Sequence, residues 1–147
     1  DTASRFTANL TGHLGISGKI WQWSPQTKKI AADRIELYKN IRKHIKNSTV
    51  YHLTPQPNYE NPCSVMALQY TTPNSKTLLF AFHANAPTLK TNIKLRALDP
   101  DITYKITFPE NFNTKPLTAK GKTLTQKGLN ITFPNKAASA IIKINPQ

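Results

Sequence analysis

The sequence holds one cysteine, Cys63, among 147 residues. That excludes an intrachain disulfide framework and any cysteine-rich zinc site. No apolar run approaches the roughly 20 residues of a membrane-spanning helix. No pair of its four histidines has the spacing of a helical metal site, and no cofactor-binding motif is present. Acids are scarce: seven Asp and Glu face twenty Lys and Arg, for a net charge of +13. Arginine is scarce too, with Arg5, Arg34, Arg42 and Arg96 against sixteen lysines. A balance this basic suggests nucleic acid, an anionic surface or acidic glycans. The paucity of the planar guanidinium fork, the spread of the lysines and the lack of any nucleic-acid motif argue against a reader of base sequence. The densest basic cluster, Lys39, Arg42, Lys43, His44 and Lys46, reads as a solvated helix end. The chain opens Asp1-Thr2-Ala3-Ser4, with neither methionine nor a signal-peptide pattern, and reads as a piece of a longer product.

What is present suffices for a core. Hydrophobic residues make up 38% of the chain, and a chain this long buries about 68–70% of its unfolded surface. The pattern changes character near residue 50. Residues 5–11 read as a short strand. Gly12, Gly15 and Gly18 then mark a loop. Ser24-Pro25 reads as an N-cap and first helical position. Ile30, Leu37, Tyr38, Ile41 and Ile45 follow at helical spacing, which predicts an amphipathic helix of about five turns ending at Asn47-Ser48. Asp33 and Glu36 in its first half and the bases at its end suit the helix dipole.

Beyond residue 50 the period becomes two. Strands are expected at 50–53, 65–71, 77–83, 92–98, 102–108, 129–133 and 140–144. In the third of these Leu78, Phe80 and Phe82 alternate with Leu79 and Ala81, so both faces read as buried. In 92–98, Ile93, Leu95 and Ala97 are expected inward. Within 109–128, Leu117 and Leu124 are candidate strand residues. Seven or eight short strands between Pro, Asn and Gly turns predict a mainly β fold, an antiparallel β-sandwich.

Catalytic chemistry is incomplete. Asp99 and Asp101 flank Pro100 in what reads as an Asx turn rather than an acid pair. Cys63 has no nucleophile signature around it. Trp21 and Trp23, one residue apart on an extended segment, would point the same way. They read either as a sugar-stacking platform or as packing under the helix. Asn9-Leu10-Thr11, Asn47-Ser48-Thr49 and Asn130-Ile131-Thr132 fit the N-glycosylation acceptor pattern.

The order of motifs resembles glycoside hydrolase family 36, the α-galactosidase-like retaining enzymes. Leu10 to Gly18 resembles the family's last barrel strand and following loop. Tyr38-Lys39-Asn40-Ile41-Arg42 and Val50-Tyr51-His52-Leu53 resemble its next two motifs. Leu79-Phe80-Ala81-Phe82, Leu95 to Pro100 with Tyr104, Gly128-Leu129 and Ala140-Ile141-Ile142 resemble its C-terminal β-domain. The chain departs from the family at Lys19-Ile20, where Asp is common, and at Ala97, where Gly is common.

The resemblance implies a division into 1–49, a last strand-loop-helix unit left from a TIM barrel, and 50–147, the C-terminal sandwich. The family's nucleophile and acid/base aspartates lie on earlier barrel strands, so none of the acids here is catalytic. The implied role is non-catalytic and structural. The implied partner is a catalytic barrel in cis, with no cofactor, metal or membrane. His13, Trp21 and Trp23 are the residues that would approach substrate in an intact enzyme. A free-standing carbohydrate-binding module, using Trp21, Trp23, Tyr51 or Tyr59, and a basic polyanion binder are the alternatives.

Overall fold

The computed structural model describes residues 2–58, 60 and 64–147. Cys63 and Tyr59 lie outside the described residues. The chain forms two compact units, 1–47 and 48–147.

In the first unit, helix α1 spans Thr2–Asn9 and helix α2 spans Pro25–Lys46. The α1 helix corrects the strand expected at 5–11. Phe6, Ala8 and Leu10 mimic a period of two, but Thr7 and Leu10 are the buried positions. Thr7 hides its polarity by donating its hydroxyl to the Ala3 carbonyl at 2.9 Å, a bond across one helical turn. Ala3, Thr7 and Leu10 then share one face at helical spacing. Among the described residues before Thr49 there is no strand.

The α2 helix begins as its sequence dictates. Ser24 Oγ accepts from the Thr27 amide at 3.1 Å, and Pro25, which has no N–H to lose, takes the first position. Asn47 closes the helix. Ala31 and Ile41 are its buried residues, while Leu37, Tyr38 and Ile45 are half-buried. The exposed Lys29–Asp33 pair, at 3.5 Å, adds little to stability.

The second unit is mainly β. Eight strands run β1 Thr49–His52, β2 Ser64–Thr71, β3 Thr77–Ala84, β4 Lys90–Ile93, β5 Thr103–Thr107, β6 Leu117–Lys120, β7 Leu129–Thr132 and β8 Ser139–Pro146. Six form one antiparallel sheet in the order β1-β2-β3-β8-β5-β6, and β4 pairs with β7 in a two-stranded ribbon. Alternate residues of the large sheet (Ala67, Leu79, Ala81, Ile106, Ile142, Ile144) meet Ile93, Leu129 and Ile131 of the ribbon in one core. This is a sandwich of unequal layers. The other face of the large sheet is apolar over β2 and β3. Leu78 and Phe80 are buried there, with the Tyr70 ring against Phe80 at 5.2 Å. Both faces of β3 are therefore covered, as its unbroken hydrophobic run predicts.

Two expectations fail within this unit. Strand pairing of β4 stops at Ile93 instead of reaching 98. Leu95 is still buried, but Ala97 is exposed and turns through a left-handed φ of 50°. Leu124 lies on a short helix, α3 (Gly121–Gln126), and not on a strand, though it is buried as its apolarity requires. Gly121 is enforced by contact: a Cβ there would overlap the Asp99 carbonyl.

Candidate functional site

The residues that the resemblance brings toward substrate all lie in the first unit, and the fold separates them. Gly18 to Trp23 is not extended. Gln22 N–H donates to the Lys19 carbonyl and Trp23 N–H to the Ile20 carbonyl, making a 3₁₀ turn over Ile20–Gln22. In such a turn, with three residues per revolution, side chains two apart point different ways. Trp21 is accordingly 74% exposed, while Trp23 is half-buried with its ring edge-to-face with Phe6 of α1 at 5.9 Å. Of the two readings of Trp21 and Trp23, packing holds for Trp23 alone, and the two rings share no platform. His13 is exposed on the glycine loop and lines a different recess of about 360 Å³ with Tyr38, Arg42, Lys43 and Lys46 of α2.

Trp23 lines a cavity of about 430 Å³ on the other side of the loop. Its walls are Arg5, Phe6 and Asn9 from one face of α1, Gly15 to Ser17 from the loop, and Thr27 from the first turn of α2. A third cavity, of about 450 Å³, belongs to the sandwich. It is bordered by Thr54, Gln56, Ser64, Ala86 and Lys90. Ser64 Oγ is buried there with no hydrogen-bond partner among the described residues.

The carboxylates behave as turn and surface groups. The Asp101 amide donates to Asp99 Oδ1 at 3.0 Å, which is the expected Asx turn. Asp33 faces Lys29, and Glu36 is exposed. No cluster of metal-ligating side chains occurs among the described residues. No described helix is long and apolar enough to cross a membrane.

The polar groups that matter most to the sandwich are structural, and the sequence pattern alone did not single them out. Gln69 is fully buried on the core face of β2. Its Nε2 donates to the Arg96 carbonyl at 2.6 Å and to Thr71 Oγ1 at 2.8 Å, and its Oε1 accepts from the Arg96 amide at 2.9 Å. One side chain thus replaces the strand partner that Arg96 loses when β4 ends. Tyr104, also fully buried, accepts the Asp99 amide at its hydroxyl, at 3.1 Å. The buried His83 ring lies between the Lys136 and Thr88 carbonyls, 3.0 Å from each, and against Phe133. The segment 95–104 that carried the resemblance is therefore the place where loop, Gln69, Tyr104 and Gly121 lock together.

Solved structures similar to this chain include α-galactosidases. The α-galactosidase AgaB from Geobacillus stearothermophilus aligns with a TM-score of 0.72 at 20% identity, over 97% of this chain and 19% of that one. The galactosidase domain of the α-galactosidase-sucrose kinase AgaSK gives 0.77 at 17% identity, over 97% and 19%. The Lactobacillus brevis α-galactosidase gives 0.74 at 17%, over 97% and 20%. These likenesses establish the fold, and the chain spans about a fifth of the length of those structures. No curated protein matches the sequence. The family profile described as glycosyl hydrolase family 36 C-terminal domain matches residues 65–144, more than half the chain and nearly all of the sandwich. The chain therefore belongs to the glycosyl hydrolase family 36 C-terminal domain family.

Proposed function

We propose that this chain is the non-catalytic C-terminal region of an α-galactosidase-like retaining glycoside hydrolase. In this reading residues 1–49, a helix-loop-helix segment here, belong to the end of a catalytic barrel, and 50–147 are the sandwich that braces it. The carrying observation is the match of residues 65–144 to the family's C-terminal domain in a chain whose described acids are occupied in turns or on the surface. The alignment of 97% of the chain to a fifth of each α-galactosidase supports a catalytic domain in cis. Barrel active sites are built from loops at one end of the barrel; in this reading the loop carrying His13 joins them and touches substrate only in the assembled enzyme.

The sequence encoded upstream of Asp1 tests the reading. It should carry barrel strands bearing two separated aspartates. Deleting 48–147 from that parent should lower its folded yield and melting temperature while leaving the KM of any surviving enzyme unchanged. An upstream region with no barrel pattern would overturn the proposal.

The exposure of Trp21 favours one other reading, a carbohydrate-binding module with Trp21 as its contact. Saturable binding of an oligosaccharide that is lost in Trp21→Ala would establish it.

A further inference from the structure

The cavity of about 430 Å³ in the first unit falls within the roughly 300–1,000 Å³ typical of small-molecule sites. Its construction follows from the sequence of α1. Thr2, Arg5, Phe6 and Asn9 recur at three- and four-residue intervals, so one helix face presents a guanidinium, a phenyl ring and an amide together. Trp23 completes the apolar wall against Phe6, and Ser17 adds a hydroxyl from the loop. Arg5, Asn9 and Ser17 make no side-chain hydrogen bond or ion pair among the described residues, and no described carboxylate lines the cavity. Three exposed polar side chains therefore line the same cavity as two aromatic rings.

We propose that this cavity binds a hexuronic acid, a sugar bearing a carboxylate. The planar fork of Arg5 fits a carboxylate with two parallel hydrogen bonds. Asn9 and Ser17 offer a donor and acceptor set suited to ring hydroxyls. The aromatic wall takes the C–H face of a pyranose, which is apolar. The charge of the chain supports an acidic ligand over a neutral one. Nine Lys and Arg stand against three acids in residues 1–47, and such a field raises the local concentration of anions. The inference concerns the chain on its own and stands apart from the accessory role proposed above.

Titration of the ¹⁵N-labelled 147-residue chain with galacturonate tests it. The expected result is saturable shifts confined to the amides of 5–9 and 15–17 and to the Trp23 indole. Galactose should bind at least tenfold more weakly, and acetate at least tenfold more weakly. Arg5→Gln should weaken galacturonate binding at least tenfold, while Lys127→Gln in the sandwich leaves it unchanged. Arg5 is exposed, so the variant should keep the native circular dichroism. Should it not fold, Asn9→Ala read the same way should weaken binding severalfold. Shifts that do not saturate, galactose binding as tightly as galacturonate, acetate binding as tightly as the sugar acid, or unchanged affinity in Arg5→Gln or Asn9→Ala would each overturn the proposal.

Discussion

The two units of this chain are built on different principles. In residues 48–147 side chains from both layers fill one core, and the places where strand pairing fails are filled by side-chain substitutes. Gln69 takes the amide and carbonyl of Arg96, Tyr104 takes the amide of Asp99, and His83 lies between two carbonyls. In residues 1–47 the buried apolar side chains are Leu10, Ala31 and Ile41, while Trp21 stands in solvent. A helix pair with so little buried surface has almost nothing to offset the chain entropy of folding. The sandwich carries the means of its own stability, and the helical unit depends on what lies around it. Under the proposed function, that is the difference between an accessory domain and a piece of a larger barrel.

Cutting the chain between the units would probe this contrast hardest. Residues 48–147 alone should unfold in one cooperative thermal transition, and residues 1–47 alone should show no cooperative transition by circular dichroism. A stable, cooperative 1–47 fragment would remove the contrast.

Within the sandwich, Gly121→Val places branched atoms against the Asp99 carbonyl. We expect a loss of about 3–5 kcal/mol in denaturant titration, the range of severe backbone clash and overpacking. Gln69→Leu keeps the volume but takes the side-chain partner from both the Arg96 amide and its carbonyl. A cost of roughly 1–3 kcal/mol should follow, the range for a polar group stranded away from water. A near-neutral result would mean that water reaches Arg96 and that the staple is dispensable.

The smallest effects sharpen the comparison from both sides. Ala97 sits at φ 50° where the family often has glycine. Ala97→Gly relieves a left-handed alanine, which costs about 1–2 kcal/mol, against a smaller loss from the freer unfolded chain. The melting temperature should rise, with a net gain of up to about 1 kcal/mol. Trp21→Ala in the other unit should change stability by less than about 0.5 kcal/mol, because the ring is exposed.

The legible parts of the fold were those where one local rule decided the outcome. The α2 helix announced itself through Ser24-Pro25 and its apolar spacing, β3 through its unbroken hydrophobic run, and β5, β7 and β8 through alternation. The illegible parts were those where a side chain compensated for its own type. Thr7 disguised α1 by bonding back to Ala3, and Gln69 filled a core position that a period-two reading assigns to an aliphatic residue. A polar residue on the inward face between Ala67 and Thr71 was the available signal, and it pointed to a bridged backbone rather than to catalysis. The departure at Ala97 was visible as a letter, but its left-handed turn was not. The candidate substrate residues dispersed because three hydrogen-bonded residues at Ile20–Gln22 rotate Trp21 away from Trp23, which spacing alone cannot encode.

The most direct test of the central claim is hydrolysis of a chromogenic α-galactoside by the purified 147-residue chain. The account predicts no turnover above buffer, because Asp99 is taken up in a turn with Asp101, and Asp33 and Glu36 lie exposed on α2. Turnover by the chain alone that a single substitution within it abolishes would contradict the account.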